Sequence, residues 1–134
     1  MIINAAVHKL KERFPVFDET YDGEDDVYLM YGAFGSFSLD VINLYMLDFT
    51  SPQNYFYCDL KKIYRDADLV ENEINKIFLF IDEMFLLNDE SMNDVLNTCI
   101  FESLMGNDYS YNLSRKYFSK DTYNHYLEVT KRVI

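Results

Sequence analysis

The clearest pattern along the chain is a run of apolar residues at helical spacing between Asp66 and Leu87. Their period is close to 3.6 residues, which predicts a helix with one buried face. The apolar positions are Val70, Ile74, Ile77, Phe78, Ile81 and Phe85, with Phe80, Met84 and Leu87 widening the stripe. Leu79 and Leu86 fall on the opposite side, among polar residues. We therefore predict a central helix that leaves two leucines on a polar face, as at a contact surface.

Four other segments carry helical patterns. Ile3–Arg13 is amphipathic, and Phe14-Pro15 should end it because proline disfavours the helical conformation in the residue before it. The other three are predicted over Phe37–Phe49, from a capping box at Ser91 and Asp94 to just before Gly106, and from near Ser119 onward. The sequence thus predicts a mainly α, compact domain of about five helices that spans residues 1–134 as a single unit.

Two short segments, Val27–Tyr31 and Tyr55–Cys58, are instead rich in β-branched and aromatic residues. Such residues favour strands, so a small β-hairpin near 27–31 and 55–58 is predicted, with an α+β fold as the alternative. Gly32 and Gly35 are interpreted as a tight turn after the first of these segments. Loops are predicted at Asp18–Asp26 and Asp108–Leu113.

The charge is strongly negative and unevenly distributed. The 134 residues carry 23 acids and 12 bases, a formal net charge of −11. Phe14–Leu60 contains nine acids and no lysine or arginine, and Asp66–Asp108 contains eleven acids and one base, Lys76. A chain this acidic repels phosphate backbones, so we do not expect a nucleic-acid partner. The concentration of one sign exceeds what solubility requires.

The sequence predicts neither a metal site nor a cofactor. Asp18, Asp22 and Gly23 match three positions of a calcium-binding EF-hand loop, but Thr20 and Leu29 stand where oxygen ligands are needed. Neither cysteine belongs to a CxxC pair and only two histidines are present, so we do not expect a structural zinc site. No pattern typical of a hydrolase, a metalloprotease or a phosphate-binding loop occurs, so we expect a protein that is not an enzyme.

Location follows from what the chain lacks. The first residues show no basic start or apolar core of a secretory signal, and no apolar run is long enough to span a membrane. We therefore expect a cytoplasmic protein without a membrane partner. Cys58 and Cys99 are then expected to be reduced, buried thiols.

The most informative feature is acid interleaved with tyrosine. Tyrosine supplies large, stiff contact area at interfaces, and carboxylates attract a basic partner. Tyr109, Tyr111 and Tyr117 add aromatic residues later in the chain. Two segments combine both residue types, and we predict them as the partner-binding residues: Asp22, Glu24, Asp25, Asp26, Tyr28 and Tyr31 in the first acid–tyrosine run, and Tyr64, Asp66, Asp68 and Glu71 in the second.

Several segments, taken in order, also resemble a family. They are Leu10–Pro15, Tyr31–Gly35, Ile77–Met84, Asn88–Ser91 and Phe101–Leu104. The order resembles a family of small, acidic, helical bacterial proteins that look like immunity proteins of toxin systems, including contact-dependent inhibition. The resemblance implies a cytoplasmic antidote that binds and blocks one toxin domain, often a nuclease. It identifies no binding residue, because immunity proteins vary most at that surface.

Together, charge and resemblance lead to one expected function. The protein should bind a cognate, basic toxin domain, a nuclease, and cover its active site or substrate groove. The alternative is a regulatory or scaffold module that binds another protein without inhibiting it.

Overall fold

A computed structural model describes residues 2–46, 58–105 and 107–131. In chain order the helices are α1 (Ile2–Arg13), α2 (Pro15–Thr20), α3 (Val27–Met46), α4 (Cys58–Ile63), α5 (Ala67–Leu86), α6 (Glu90–Val95), α7 (Asp108–Tyr117) and α8 (Lys120–Val129). Helix α6 continues directly into a π-helical segment, Leu96–Phe101. The fold is mainly α, as predicted, and the described residues contain no strand.

The core is built around α3 and α5, which pack against each other, and α3 also packs against the π-helical segment. Aromatic side chains fill the space between the elements in two groups. The first joins α1, α2, α3 and α5 through Phe14, Phe17, Phe34, Phe37 and Phe80. The second joins α5, the π-helical segment, α7 and α8 through Phe78, Phe101, Phe118, Tyr111 and Tyr126. Burying rings of this size is a large apolar contribution to stability.

Helix α5 is the predicted central helix. Asp66 caps its first turn, since its carboxylate accepts a hydrogen bond from the Leu69 backbone N–H at 3.0 Å. Most of the predicted apolar stripe is buried, while Leu87 lies just past the helix and is exposed. Leu79 and Leu86 are each 51% exposed, which confirms their place on the outer face.

The prediction of a strand over residues 27–31 is wrong, and so is the predicted turn at Gly32 and Gly35. These residues form the first half of α3. Met30, Tyr31 and Phe34 follow helical spacing and are buried, and tertiary packing of that face overrides the strand preference of the side chains. Of the second predicted strand, residues 55–57 lie outside the described residues and Cys58 begins α4. Residues 47–49 of the predicted Phe37–Phe49 helix also lie outside them.

Gly35 has a packing role inside α3. A Cβ atom at this position would collide with the backbone oxygen of Cys99 and the side chain of Ser103. Glycine therefore lets α3 approach the end of the π-helical segment closely. At Gly32 an added Cβ would meet nothing within 4 Å.

One predicted helix start and one predicted loop also need correction. Helix α6 begins at Glu90, because the Asp89 carboxylate accepts from the Met92 N–H at 2.8 Å, so Ser91 is not its cap. The predicted loop over Asp108–Leu113 is the first part of α7. There the Asn107 side chain accepts from the Ser110 N–H at 3.1 Å and starts the helix.

The helix predicted to run to just before Gly106 ends at Phe101, and residues 18–20 of the predicted Asp18–Asp26 loop belong to α2. Two other predicted boundaries hold. Helix α1 ends at Arg13, and Pro15 takes the first position of α2, where its missing N–H costs no hydrogen bond. Ser119 precedes α8, as expected.

Helix α3 is long and apolar enough to cross a membrane, with 20 residues and a mean hydropathy of 1.2 over the best window. The sequence reading missed this because it divided the segment into a strand, a turn and a helix. Half of that window is buried against the rest of the chain, as in the core helix of a soluble protein, so the helix is weak evidence for a membrane span.

Candidate protein-binding surface

Tyr28 lies in the first turn of α3, and its ring is 43% exposed. Its hydroxyl donates a hydrogen bond to Oδ2 of Asp94 at 2.5 Å, although the two residues are 66 positions apart in the chain. The bond to this carboxylate raises the pKa of Tyr28. The contact joins the first acid–tyrosine run to α6.

Beside this pair is a cavity of about 700 Å³, which we call the Tyr28 groove. It lies where α1, α3 and α6 meet. Among the described residues, its lining carries two carboxylates and no lysine or arginine. The lining residues are Ile3, Tyr28, Asn88, Glu90, Ser91, Asn93, Asp94 and Asn97. The two carboxylates of this concave site favour a donor-bearing, positively charged ligand.

A second cavity of about 500 Å³ adjoins the Tyr28 groove at Ile3, which lines both. Asp25, Asp26 and Lys11 contribute its charged side chains. Lys11 Nζ lies 2.9 Å from Asp25 Oδ1, and this bond raises the pKa of the lysine. Because they share Ile3, the two cavities are neighbours, and we refer to them together as the trough.

The loop between α2 and α3 adds exposed carboxylates beside this trough. Asp22 and Glu24 are exposed and form no ion pair within the described parts of the chain. Asp26 caps α3, accepting from the Leu29 N–H at 3.0 Å. We call Asp22, Glu24, Asp25, Asp26, Tyr28, Glu90 and Asp94 together the acidic face.

Tyr31 does not belong to the acidic face, although the sequence predicted it as a binding residue. It is fully buried, and its hydroxyl donates to the backbone oxygen of Ala6 at 2.9 Å. Burial raises its pKa strongly. Tyr31 follows Tyr28 by three residues, which puts it about 60° away around the axis of α3, and its side chain lies in the core.

The second acid–tyrosine run lies elsewhere. Tyr45, near the end of α3, donates to Glu71 at 3.3 Å, whereas Tyr28 is at the beginning of the same helix. At a rise of 1.5 Å per residue, the two tyrosines are about 26 Å apart along the axis. The structure therefore separates the two predicted runs instead of joining them.

Tyr64, the predicted tyrosine anchor of the second run, is also buried. Its hydroxyl donates to Glu73 Oε2 at 2.6 Å, and burial is the main reason that its pKa is raised. Tyr64 is therefore a core residue here, and the prediction that it anchors a partner is wrong. Asp66 is occupied as the cap of α5, and Asp68 is exposed in the first turn of that helix.

A third cavity, of about 600 Å³, lies between the α2–α3 loop and the outer side of α3. Asp22 and Asp40 line it, together with apolar side chains such as Phe37 and Leu60. Partial burial raises the pKa of Asp40. Asp40 was not among the predicted residues, because it stands alone within an apolar stretch.

The sequence reading also missed the contribution of α6. In the sequence, Asp94 fits a capping box with Ser91, and that pattern does not indicate a binding role. Glu90 and Asp94 are four residues apart, a spacing that places both on one side of a helix. That local signal was present, but nothing local indicates that this side of α6 meets Tyr28.

The nearby bases of α1 are engaged away from the acidic face. Arg13 Nη2 lies 3.1 Å from Glu83 Oε2, and Lys9 Nζ lies 4.0 Å from the same atom. Glu83 belongs to α5, on the side that also presents Leu79. Among the ion pairs of the described residues, only that of Lys11 with Asp25 involves the acidic face.

Metal ligands and reactive thiols are the other chemical groups considered from the sequence. Within residues 2–46, 58–105 and 107–131, no group of three or more His, Cys, Asp or Glu side chains could hold a metal ion. Cys99 is free and buried, and burial raises the pKa of its thiol, which disfavours the reactive thiolate. The side chain of Cys58 lies outside the described residues.

Comparison with known proteins adds no relative. No model of a protein family matches the sequence, and no curated protein and no solved structure matches it.

Proposed function

We propose that this protein is a cytoplasmic immunity protein, which binds a cognate toxin domain and blocks it without chemistry of its own. The observation that carries the proposal is the acidic face. Carboxylates of α6 line the groove beside the exposed Tyr28, and carboxylates of the α2–α3 loop line the neighbouring cavity. This combination of long-range attraction and a stiff aromatic contact suits a protein partner of positive charge.

The partner that fits best is a basic nuclease domain. A nuclease attracts phosphates with positive charge, and the carboxylates of the acidic face would take the place of those phosphates. The inhibitor would cover the active site or the substrate groove. The family resemblance of the sequence supports the same class of partner.

The distribution of bases supports the proposal as well. Lys9 and Arg13 contact Glu83 on another side of the molecule, so they do not neutralise the acidic face. A surface used only for solubility would not require this separation of charge.

The test begins with the open reading frame next to the gene. Its product is co-expressed with this protein, captured by a pull-down, and scored for growth rescue of cells that make the toxin alone. We expect a stable complex and rescue. Binding should weaken as salt is added, because attraction between exposed charges is screened over about 8 Å at physiological ionic strength.

Two variants of equal charge identify the surface. Asp22→Asn, Glu24→Gln and Asp94→Asn together remove three carboxylates from the acidic face. Asp68→Asn, Asp121→Asn and Glu128→Gln remove three exposed carboxylates elsewhere. The first variant should lose affinity and rescue, and the second should keep both.

The other outcomes are equally informative. A complex that forms without growth rescue would favour the alternative, a non-inhibitory interaction module. Equal losses in both triple variants, or affinity that does not change with salt, would overturn the role of the acidic face.

A further inference from the structure

On the basis of this proposed function, we propose that the Tyr28 groove receives an arginine side chain of the partner. The lining offers the carboxylates of Asp94 and Glu90, and none of its side chains is a lysine or arginine. A guanidinium group carries five N–H donors and no acceptor, so it can donate hydrogen bonds to these two carboxylates.

The Tyr28–Asp94 bond prepares the site. The hydroxyl of Tyr28 donates to one lone pair of Asp94 Oδ2 and thereby orients the carboxylate. The other oxygen and the remaining lone pairs can accept from a guanidinium. The ring of Tyr28, 43% exposed, lies beside them and offers a flat face on which a guanidinium can stack.

Two asparagines of the lining differ in their bonding. Asn93 lines the groove, and its Oδ1 is buried without a hydrogen-bond partner among the described residues. The neighbouring Asn97 is already engaged, since its Oδ1 lies 2.7 Å from His125 Nε2.

Arginine fits this site better than lysine does. Its planar group can stack on the Tyr28 ring and pair with Asp94 at the same time, whereas an ammonium is a compact point charge with a strong hydration shell. A phosphate is excluded because Asp94 and Glu90 would repel it.

The experiment uses the complete chain and two small probes, Nα-acetyl-arginine amide and Nα-acetyl-lysine amide. Each is titrated into the isotope-labelled protein while backbone amide signals are followed by NMR. The arginine probe should shift the signals of Tyr28, Asn93 and Asp94, and should saturate at lower concentration than the lysine probe. Equal affinity for the two probes, or shifts centred on Asp68, would overturn the proposal.

Two variants refine the result. Asp94→Asn should weaken binding of the arginine probe by about tenfold, as expected for loss of a charged hydrogen-bonding partner, and Asp68→Asn should leave it unchanged. Tyr28→Phe keeps the ring, whereas Tyr28→Leu removes it and should reduce the preference for arginine over lysine. Undiminished binding by Asp94→Asn would contradict the assignment.

This result is separable from the proposed function. If the wild type rescues growth but the groove shows no arginine preference, the present inference fails and the immunity function stands. If the groove prefers arginine while no toxin is bound or neutralised, the immunity function fails and the chemistry of the groove stands.

Discussion

The two acid–tyrosine runs have the same composition and begin their helices in the same way, yet they become different parts of the molecule. Asp26 and Asp66 each accept a backbone N–H bond at 3.0 Å, from Leu29 and Leu69 respectively. Both leucines are exposed. The local structure of the two runs is therefore similar, and neither carboxylate is free of a structural role.

The difference lies in the partner of each tyrosine. Tyr28 bonds to an exposed carboxylate, Asp94, and remains at the surface. Tyr64 bonds to a buried carboxylate, Glu73, and is enclosed. In these two runs, the exposure of the tyrosine follows the exposure of the carboxylate that accepts its hydrogen bond. A tyrosine next to acids in the sequence therefore does not by itself indicate a surface.

The largest expected effect comes from Gly35→Ala. The new Cβ would collide with Cys99 and Ser103 and push α3 away from the π-helical segment. This shift would also disturb the packing around Tyr28 in the first turn of α3. We expect a loss of about 3 kcal/mol in the free energy of unfolding, measured by urea denaturation. Amide exchange should accelerate in the π-helical segment more than around Tyr64.

Gly32→Ala is the matched control. No atom lies within 4 Å of the added Cβ, and alanine favours the helix over glycine by up to about 1 kcal/mol. This variant should be more stable than the wild type. Destabilisation by both substitutions would refute the close approach at Gly35.

Next in size is Tyr64→Phe. Loss of the hydroxyl leaves the buried Oε2 of Glu73 without its donor. The expected cost is about 2 kcal/mol by chemical denaturation. Tyr28→Phe should cost much less, because water can replace the hydroxyl at the exposed Asp94. Equal losses of unfolding free energy in Tyr64→Phe and Tyr28→Phe would show that the two tyrosines do not differ in burial as described.

A smaller effect is expected on the stability of the fold at alkaline pH. Burial raises the pKa of Tyr64 and Tyr31 above the ordinary 10.0, so the folded state holds these protons more tightly than the unfolded state does. Their contribution to stability is complete below pH 10 and declines as the pH rises further. The decline should be shallower in Tyr64→Phe. An identical slope in the variant would contradict the burial of Tyr64.

The smallest expected effect concerns His125, which is bonded to Asn97 at the Tyr28 groove. Burial against Phe85 and Phe101 lowers its pKa from 6.5. The unfolded state then takes up the proton first, so stability falls as the pH drops below about 6.5. His125→Gln should remove that part of the acid slope. NMR titration of the imidazole provides the direct check, and a pKa above 6.5 would be inconsistent with its burial.

Much of the fold could be predicted because its signals are local. The 3.6-residue period of α5, the stop before Pro15 and the start at Ser119 depend on residues within one or two turns. Predictions failed where local preference opposed packing. Val27–Tyr31 is strand-like in composition, yet it forms a helix because Met30 and Tyr31 are buried against other elements.

The candidate site was predictable only in part. The exposed acids of the α2–α3 loop and Tyr28 were identified, since a polar, charged run is a surface signal. Tyr31 and Tyr64 were assigned wrongly, because tyrosine suits both interfaces and cores. Glu90 and Asp94 were missed, since their relation to Tyr28 depends on how α6 packs.

The sequence by itself determined where most helices run and that negative charge is concentrated in long stretches, because periodicity, capping and charge are properties of neighbouring residues. Only the tertiary structure decided which tyrosines reach solvent, that α6 completes the acidic face, and that the two runs stand apart. The physical reason is that burial and hydrogen bonding depend on contacts such as Tyr28 with Asp94, between residues far apart along the chain.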